Sequence, residues 1–178
     1  MTKPQLLSVL RRLGWPGVPS SPGVYWWYFP LTALERLRIA ELCDVTQLRL
    51  RRAPNGKVCL YHGMANNLAE RVEWHAAQKL TLKCLQSGFL STFRFTLLAL
   101  NEFDYLKGTQ QIDGFFDGLS VSWQATSTRE EAEALERAEL QGAYHYPLNI
   151  QGNRRAELLK YIQHLKSTRS SYKRRYIE

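Results

Sequence analysis

The chain of 178 residues carries 24 Lys and Arg against 16 Asp and Glu, a net charge of +8, and is 44% hydrophobic. This composition excludes an intrinsically disordered chain, and no apolar run approaches the roughly 18 residues that a membrane span needs. It suits one domain with a core of ordinary size, and the excess of cations favours a polyanionic partner.

Met1-Thr2-Lys3-Pro4 lacks the apolar stretch of a signal peptide, and Cys43, Cys59 and Cys84 have no zinc-type spacing. Reduced thiols and a cytoplasmic compartment are therefore expected. Residues 5–13 predict a short helix, with Leu6, Leu7, Val9, Leu10 and Leu13 apolar, broken by Gly14-Trp15-Pro16-Gly17. Gly23-Val24-Tyr25-Trp26-Trp27-Tyr28-Phe29 is dense in aromatic and β-branched residues and predicts a strand. Alternation puts Tyr25 and Trp27 on one face and Val24, Trp26 and Tyr28 on the other. Residues 32–42 predict a helix. Residues 46–52 and 57–61 predict paired strands around the turn Pro54-Asn55-Gly56.

Val58-Cys59-Leu60-Tyr61 leads to Gly63, where a sharp turn is expected. Asn66 or Asn67 then caps a helix over about 67–80, with Leu68, Val72 and Ala76 on its apolar face. Residues 89–100 predict a strand. Residues 101–118, with Gly108, Asp113-Gly114 and Asp117-Gly118, predict a loop-rich excursion, and 119–126 another strand. Ser127 or Thr128 caps the next helix, whose first turns are rich in Glu and which ends near Gly142. A last helix over 154–166 runs into a tail that interleaves Tyr172 and Tyr176 with cations; Arg154 to Glu178 holds eight Lys or Arg against two acids. Arg49, Arg51, Arg52 and Lys57 around the hairpin, and Lys166, Lys173, Arg174 and Arg175 in the tail, are the expected phosphate contacts.

Gly23-Val24-Tyr25, then Tyr61-His62-Gly63, Asn67-Leu68, Arg71, Leu135-Glu136 and Pro147-Leu148-Asn149 follow one another in a fixed order. That ordered set resembles the signature of the GIY-YIG nucleases and spans residues 22–149. The resemblance implies an α/β fold: a small mixed or antiparallel sheet flanked by helices. It implies a single domain over 1–178 with an insertion at about 31–57 and added N- and C-terminal helices.

The resemblance further implies a metal-dependent DNA endonuclease, closest in style to the restriction enzymes of the family. It assigns Tyr25 and Tyr61 to flank the attacking water, Arg71 to bind phosphate, and Asn149 to lie near the site, with Asn153 competing. Glu136 is assigned to ligate Mg²⁺ or Mn²⁺, with Glu139 the runner-up. His75, one turn after Arg71, could meet the same phosphate, whereas His62 should point away from Tyr61. Met64-Ala65 stands where restriction members often carry a Lys, so another group would have to supply that charge. DNA is the expected partner, as a homodimer if both strands are cut.

Two rivals differ in class. An inactive nucleic-acid-binding module would keep the charge without needing Glu136 or Arg71. A single-strand, RNA or structure-specific nuclease would stack bases on Trp26-Trp27 and the tail tyrosines. Taken singly, the candidates have ordinary readings: core tyrosines, a solvated helix Arg, one Glu of an acidic face. Only their order selects the chemistry.

Overall fold

In the computed structural model, which describes residues 1–177, the sheet is antiparallel throughout. Its strands are β1 (Gln5–Leu6), β2 (Gly23–Phe29), β3 (Val58–Ala65) and β4 (Ser120–Ala125), in the spatial order β1-β4-β2-β3. Every residue of β2 is buried, as a central strand of such composition should be. Tyr25, Trp27 and Phe29 enter the main core, while Val24, Trp26 and Tyr28 enter a smaller cluster on the opposite face.

The helices are α1 (Leu7–Arg12), α2 (Ala33–Arg36), α3 (Ile39–Leu42), α4 (Leu68–Ala77), α5 (Leu82–Ser87), α6 (Thr92–Leu100), α7 (Thr109–Asp117), α8 (Arg129–Gln141) and α9 (Leu159–Ile177). None is long and apolar enough to cross a membrane. Asn67 caps α4 by accepting from Glu70 N–H, and Thr128 caps α8 by accepting from Glu131 N–H. α8 contributes Ala132 and Leu140 to the smaller cluster.

Several elements differ from the sequence-based expectation. Residues 89–100 form α6, not a strand. Phe93 through Ala99 are all buried, so the run carries no helical period, and continuous apolar runs do not separate buried helix from buried strand. Ser91 caps α6, accepting from Arg94 N–H at 3.1 Å. Arg94 is fully buried and ties three helices together: it donates to Ala76 O at the end of α4 and pairs with Asp113 of α7 at 2.5 Å. The 101–118 excursion contains α7, whose Ile112 and Phe116 reach the main core.

The 32–42 segment is two short helices broken at Arg38, whose φ is +60°; the break turns Leu37 and Ile39 both inward. Residues 46–52 meet β3 in a single bridge at Arg52, where Cys59 N–H also donates to Arg51 O, and the Arg49 backbone bonds His145 instead. β1 precedes the expected first helix. The basic tail is helical: α9 continues to Ile177 and buries Tyr161, Leu165 and Tyr172. Tyr172 donates to Phe103 O, and the Tyr176 hydroxyl accepts from Tyr105 N–H. Tyr172 and the Trp26-Trp27 pair are therefore core side chains, with no face open to a base, and Tyr176 is half-buried against the same core.

Candidate active site

The register of β2 against β3 sets the site: Trp27 lies opposite Tyr61, Trp26 opposite His62, and Tyr25 opposite Gly63. β3 runs straight through Gly63 to Ala65, so the expected turn there is corrected. The reason for glycine is steric. A Cβ on Gly63 would lie 2.6 Å from the Tyr25 hydroxyl and 2.8 Å from its Cζ. Gly23, two residues before Tyr25 on β2, answers the same need, since a Cβ there would lie 2.3 Å from Gln124 O on β4. Gly63→Ala is expected to push the Tyr25 ring off its seat, costing about 1–3 kcal/mol of stability and roughly a hundredfold in any activity that uses that hydroxyl. Thermal melts and turnover on the same sample would check both.

The Tyr25 hydroxyl is 2.9 Å from His75 Nε2, and His75 Nδ1 is 2.6 Å from Ser91 Oγ. His75 is only 2% exposed, and burial, helped by the Arg71 charge, lowers its pKa to about 3. It is a neutral ring with both nitrogens engaged, so it does not meet a phosphate alongside Arg71 as its spacing suggested. Burial also raises the Tyr25 phenol well above its ordinary range. Tyr61 is half-buried against Phe93, ring centroids 4.1 Å apart and near parallel, and burial pushes it up to about 12. The misread helix α6 thus supplies Ser91 behind His75 and Phe93 behind Tyr61.

The outer edge of β3 positions the rest. Its alternate residues present backbone groups to a missing neighbour, and three residues from two segments fill that role. Leu148 N–H donates to Leu60 O at 2.9 Å. Asn149 accepts from His62 N–H at 2.9 Å and donates to His62 O at 2.7 Å. Glu136 Oε1 accepts from Met64 N–H at 3.1 Å. Asn149 therefore spends its amide holding β3 beside Tyr61. Asn153 donates to Tyr146 O and Asn149 O and steadies that loop. His62 points to the other face, stacked on Trp26, with Nδ1 3.0 Å from Tyr25 O.

Glu136 and Glu139 part company here. Burial raises Glu139, but hydrogen bonds from Tyr146 and Arg51 outweigh it and hold the carboxylate below its usual range. Its partner Arg51 lies 2.5 Å away. Glu136 has no cationic partner within bonding distance among the described residues, and burial raises it above the ordinary carboxylate value. It lines a cleft of about 1000 Å³ together with Tyr61, Asn149 and four arginines: Arg137, Arg154, Arg155 and Arg169. Arg169 was not singled out in the sequence, because it looked like one more cation of a solvated tail. It projects from α9 into this cleft, half-buried, with its Nε unpartnered.

Of the expected phosphate contacts, Arg51 is held by Glu139, and Lys57 Nζ donates to Gly118 O and Ser120 Oγ at 2.8 and 2.9 Å. Both corrections have one cause: each cation's stem crosses to a partner that the sequence places far away. Arg49, Arg52, Lys166, Arg174 and Arg175 are exposed and Lys173 half-buried, and none of them lines the cleft. Arg71 lies half-buried on α4, its guanidinium 4.8 Å over the Trp74 ring.

The chain matches the family model of the GIY-YIG catalytic domain over residues 23–171. It belongs to the GIY-YIG family. The match begins at Gly23 and runs into α9, taking in β2, β3, Arg71, Glu136 and Arg169, and it marks this as a nuclease-type catalytic domain. No curated protein and no solved structure matches the chain.

Among the described residues no three His, Cys, Asp or Glu side chains gather into a metal-ligating group. The donor set suits a hard cation that keeps most of its waters. Glu136 offers one half-buried carboxylate whose Oε2 has no hydrogen-bond partner among the described residues, in an open, water-accessible cleft.

Proposed function

We propose that this GIY-YIG protein is a metal-dependent endonuclease that hydrolyses phosphodiester bonds of DNA, restriction-type in that recognition and cleavage share one domain. The observation that carries the reading is a single cleft lined by a carboxylate without a cationic partner, Glu136, by the phenol of Tyr61 and by four arginines. Cations gather a polyanion and neutralise phosphoryl oxygens, and the carboxylate anchors a divalent ion. Glu136 would hold Mg²⁺ or Mn²⁺, which when bound supplies charge against the developing oxyanion.

The chain's own groups position the water and the phosphate. Ser91 Oγ can accept from both Arg94 N–H and His75 Nδ1–H, which leaves His75 Nε2 to accept from Tyr25 O–H. The neutral His75 thereby fixes the Tyr25 hydroxyl, whose oxygen keeps a lone pair to accept from the attacking water and orient it. A phenol raised by burial cannot wait as a phenolate at neutral pH, so Tyr25 positions the water and the water's proton leaves to solvent. Arg71 and Arg169 flank the phosphate from α4 and α9, and Arg169 provides the charge missing at Met64.

One such centre cuts one strand, so double-strand cleavage takes two copies on the DNA. The three free thiols suit a reducing, cytoplasmic compartment. Incubating the protein with supercoiled plasmid and with single-stranded circular DNA, in Mg²⁺ and in EDTA, tests the proposal. Cleavage in Mg²⁺ that vanishes in EDTA is expected, with discrete fragments if recognition is sequence-specific. DNA left intact in Mg²⁺ and in Mn²⁺ would overturn it in favour of a binding module.

A further inference from the structure

A second, smaller cleft of about 420 Å³, lined by Arg71, opens at the start of α4. Trp74 and Phe89 form its apolar wall, ring centroids 5.4 Å apart and inclined by 31°. Phe89 is 71% exposed, the highest value of any large apolar residue described. Its display is built rather than incidental. Gly88 turns the chain with φ +74°, Gln78 Nε2 donates to Phe89 O, and Gln78 Oε1 accepts from Ser91 N–H at 2.6 Å. A loop pinned on both sides of an exposed phenyl gains nothing for the core, since exposing a ring of this size forgoes its burial.

The chemistry of the rim narrows the occupant. Arg71 lies over Trp74 and also lines this cleft. Its positive charge acts on Tyr25, Tyr61 and His75. Asn66 and Asn67 add amides, and Asn67 spends only its Oδ1 on capping. Glu70 stands on the same rim. A carboxylate there repels a second phosphate, so the space suits a neutral, flat, hydrogen-bonding group continuous with the phosphate on Arg71.

We propose that this cleft receives an unstacked nucleobase flanking the scissile phosphate, packed against Phe89 and Trp74. The inference rests on the nuclease reading for what Arg71 holds. It makes DNA that is single-stranded or locally unpaired the favoured ligand, and a base in duplex must leave the stack to be seated. Aromatic platforms of this kind bind any base, because each has a π-face.

The test is binding in EDTA, where no cleavage occurs, so it can fail or succeed independently of the nuclease assay. The probes are fluorescent (dT)20, an abasic strand of the same length and charge, and a blunt 20-base-pair duplex. Wild type should bind (dT)20 about tenfold more tightly than the abasic strand, and more tightly than the duplex. Phe89→Ala should bind (dT)20 about tenfold more weakly and lose the distinction between bases and no bases, while Phe89→Trp should restore it. Leu31→Ala, an exposed apolar position just past the far end of β2, should change nothing. Phe89 is exposed, so its variants should fold as wild type does. Equal binding of (dT)20 and the abasic strand by wild type, or unchanged (dT)20 affinity in Phe89→Ala, would overturn the proposal.

Discussion

Glu136→Gln is expected to abolish metal-dependent cleavage, by at least about a hundredfold, while leaving the melting temperature unchanged or higher. Glutamine keeps the shape, and its Oε1 can still accept from Met64 N–H, so the β3 edge stays capped. What it loses is the charge. That charge is an energetic burden in the fold: burial is the largest influence on Glu136 and raises its pKa above the unfolded value, and no cation pairs with it closely. At neutral pH the ionised carboxylate therefore lowers stability, and its neutral isostere removes the burden. Functional groups held at a cost in stability behave this way. Activity and melting should then move independently, with cleavage gone and the fold intact. A substantial fall in the melting temperature would identify Glu136 as a structural ion-pair member and undo its assignment as the cation anchor. Glu139→Gln supplies the contrast, since it strips Arg51 of its partner and should destabilise.

The parts of the site that were legible in the sequence are those set by short-range pattern. β2 declared itself through its aromatic density, α4 through a cap at Asn66 or Asn67 and its apolar spacing, and α8 through a cap at Ser127 or Thr128 and the glutamates after it. The order of the signature named Tyr25, Tyr61, Arg71 and Glu136 as candidates before any geometry. What the sequence withheld was long-range. Ser91 and Phe93 were hidden because a helix buried on every side has no period to read. A left-handed Gly88 followed by a capping Ser91 marks the helix start, and the continuous apolar run after it hides that signal. Arg169 was invisible because nothing in a basic, Ser-rich stretch tells which cation turns inward. Gly63 was read as a turn since a glycine's usual meaning is backbone freedom. Its role is absence of volume, and that shows only once Tyr25 lies across from it.

The protein is expected to unfold in mild acid, losing most of its stability between about pH 6.5 and 4. Two buried histidines drive this. His75 is lowered to about 3 by burial and then Arg71, and His62 to about 4 by burial. Unfolded histidine titrates near about 6.5, so below that pH the unfolded chain binds protons that the folded chain refuses. Their contribution is fully present above about 6.5 and drains away as the pH falls toward the folded values. Each shift corresponds to about 3–5 kcal/mol, and the pair together approaches the whole net stability of an ordinary domain. Glu139, held below its usual range, is lost in the same direction, while Glu136, held above it, opposes weakly. Melting curves from pH 8 to 4 should show a steep fall beginning while most carboxylates are still ionised. His75→Gln should melt lower at pH 8 but depend less on pH, because one of the two proton-refusing sites is gone. A melting temperature that stays flat down to pH 4.5, or an unchanged slope in His75→Gln, would mean that His75 is not the neutral, buried partner of Tyr25. The hydrogen bond by which His75 Nε2 accepts from Tyr25 and orients it depends on that neutrality, so this stability measurement also tests the positioning of Tyr25 without any substrate.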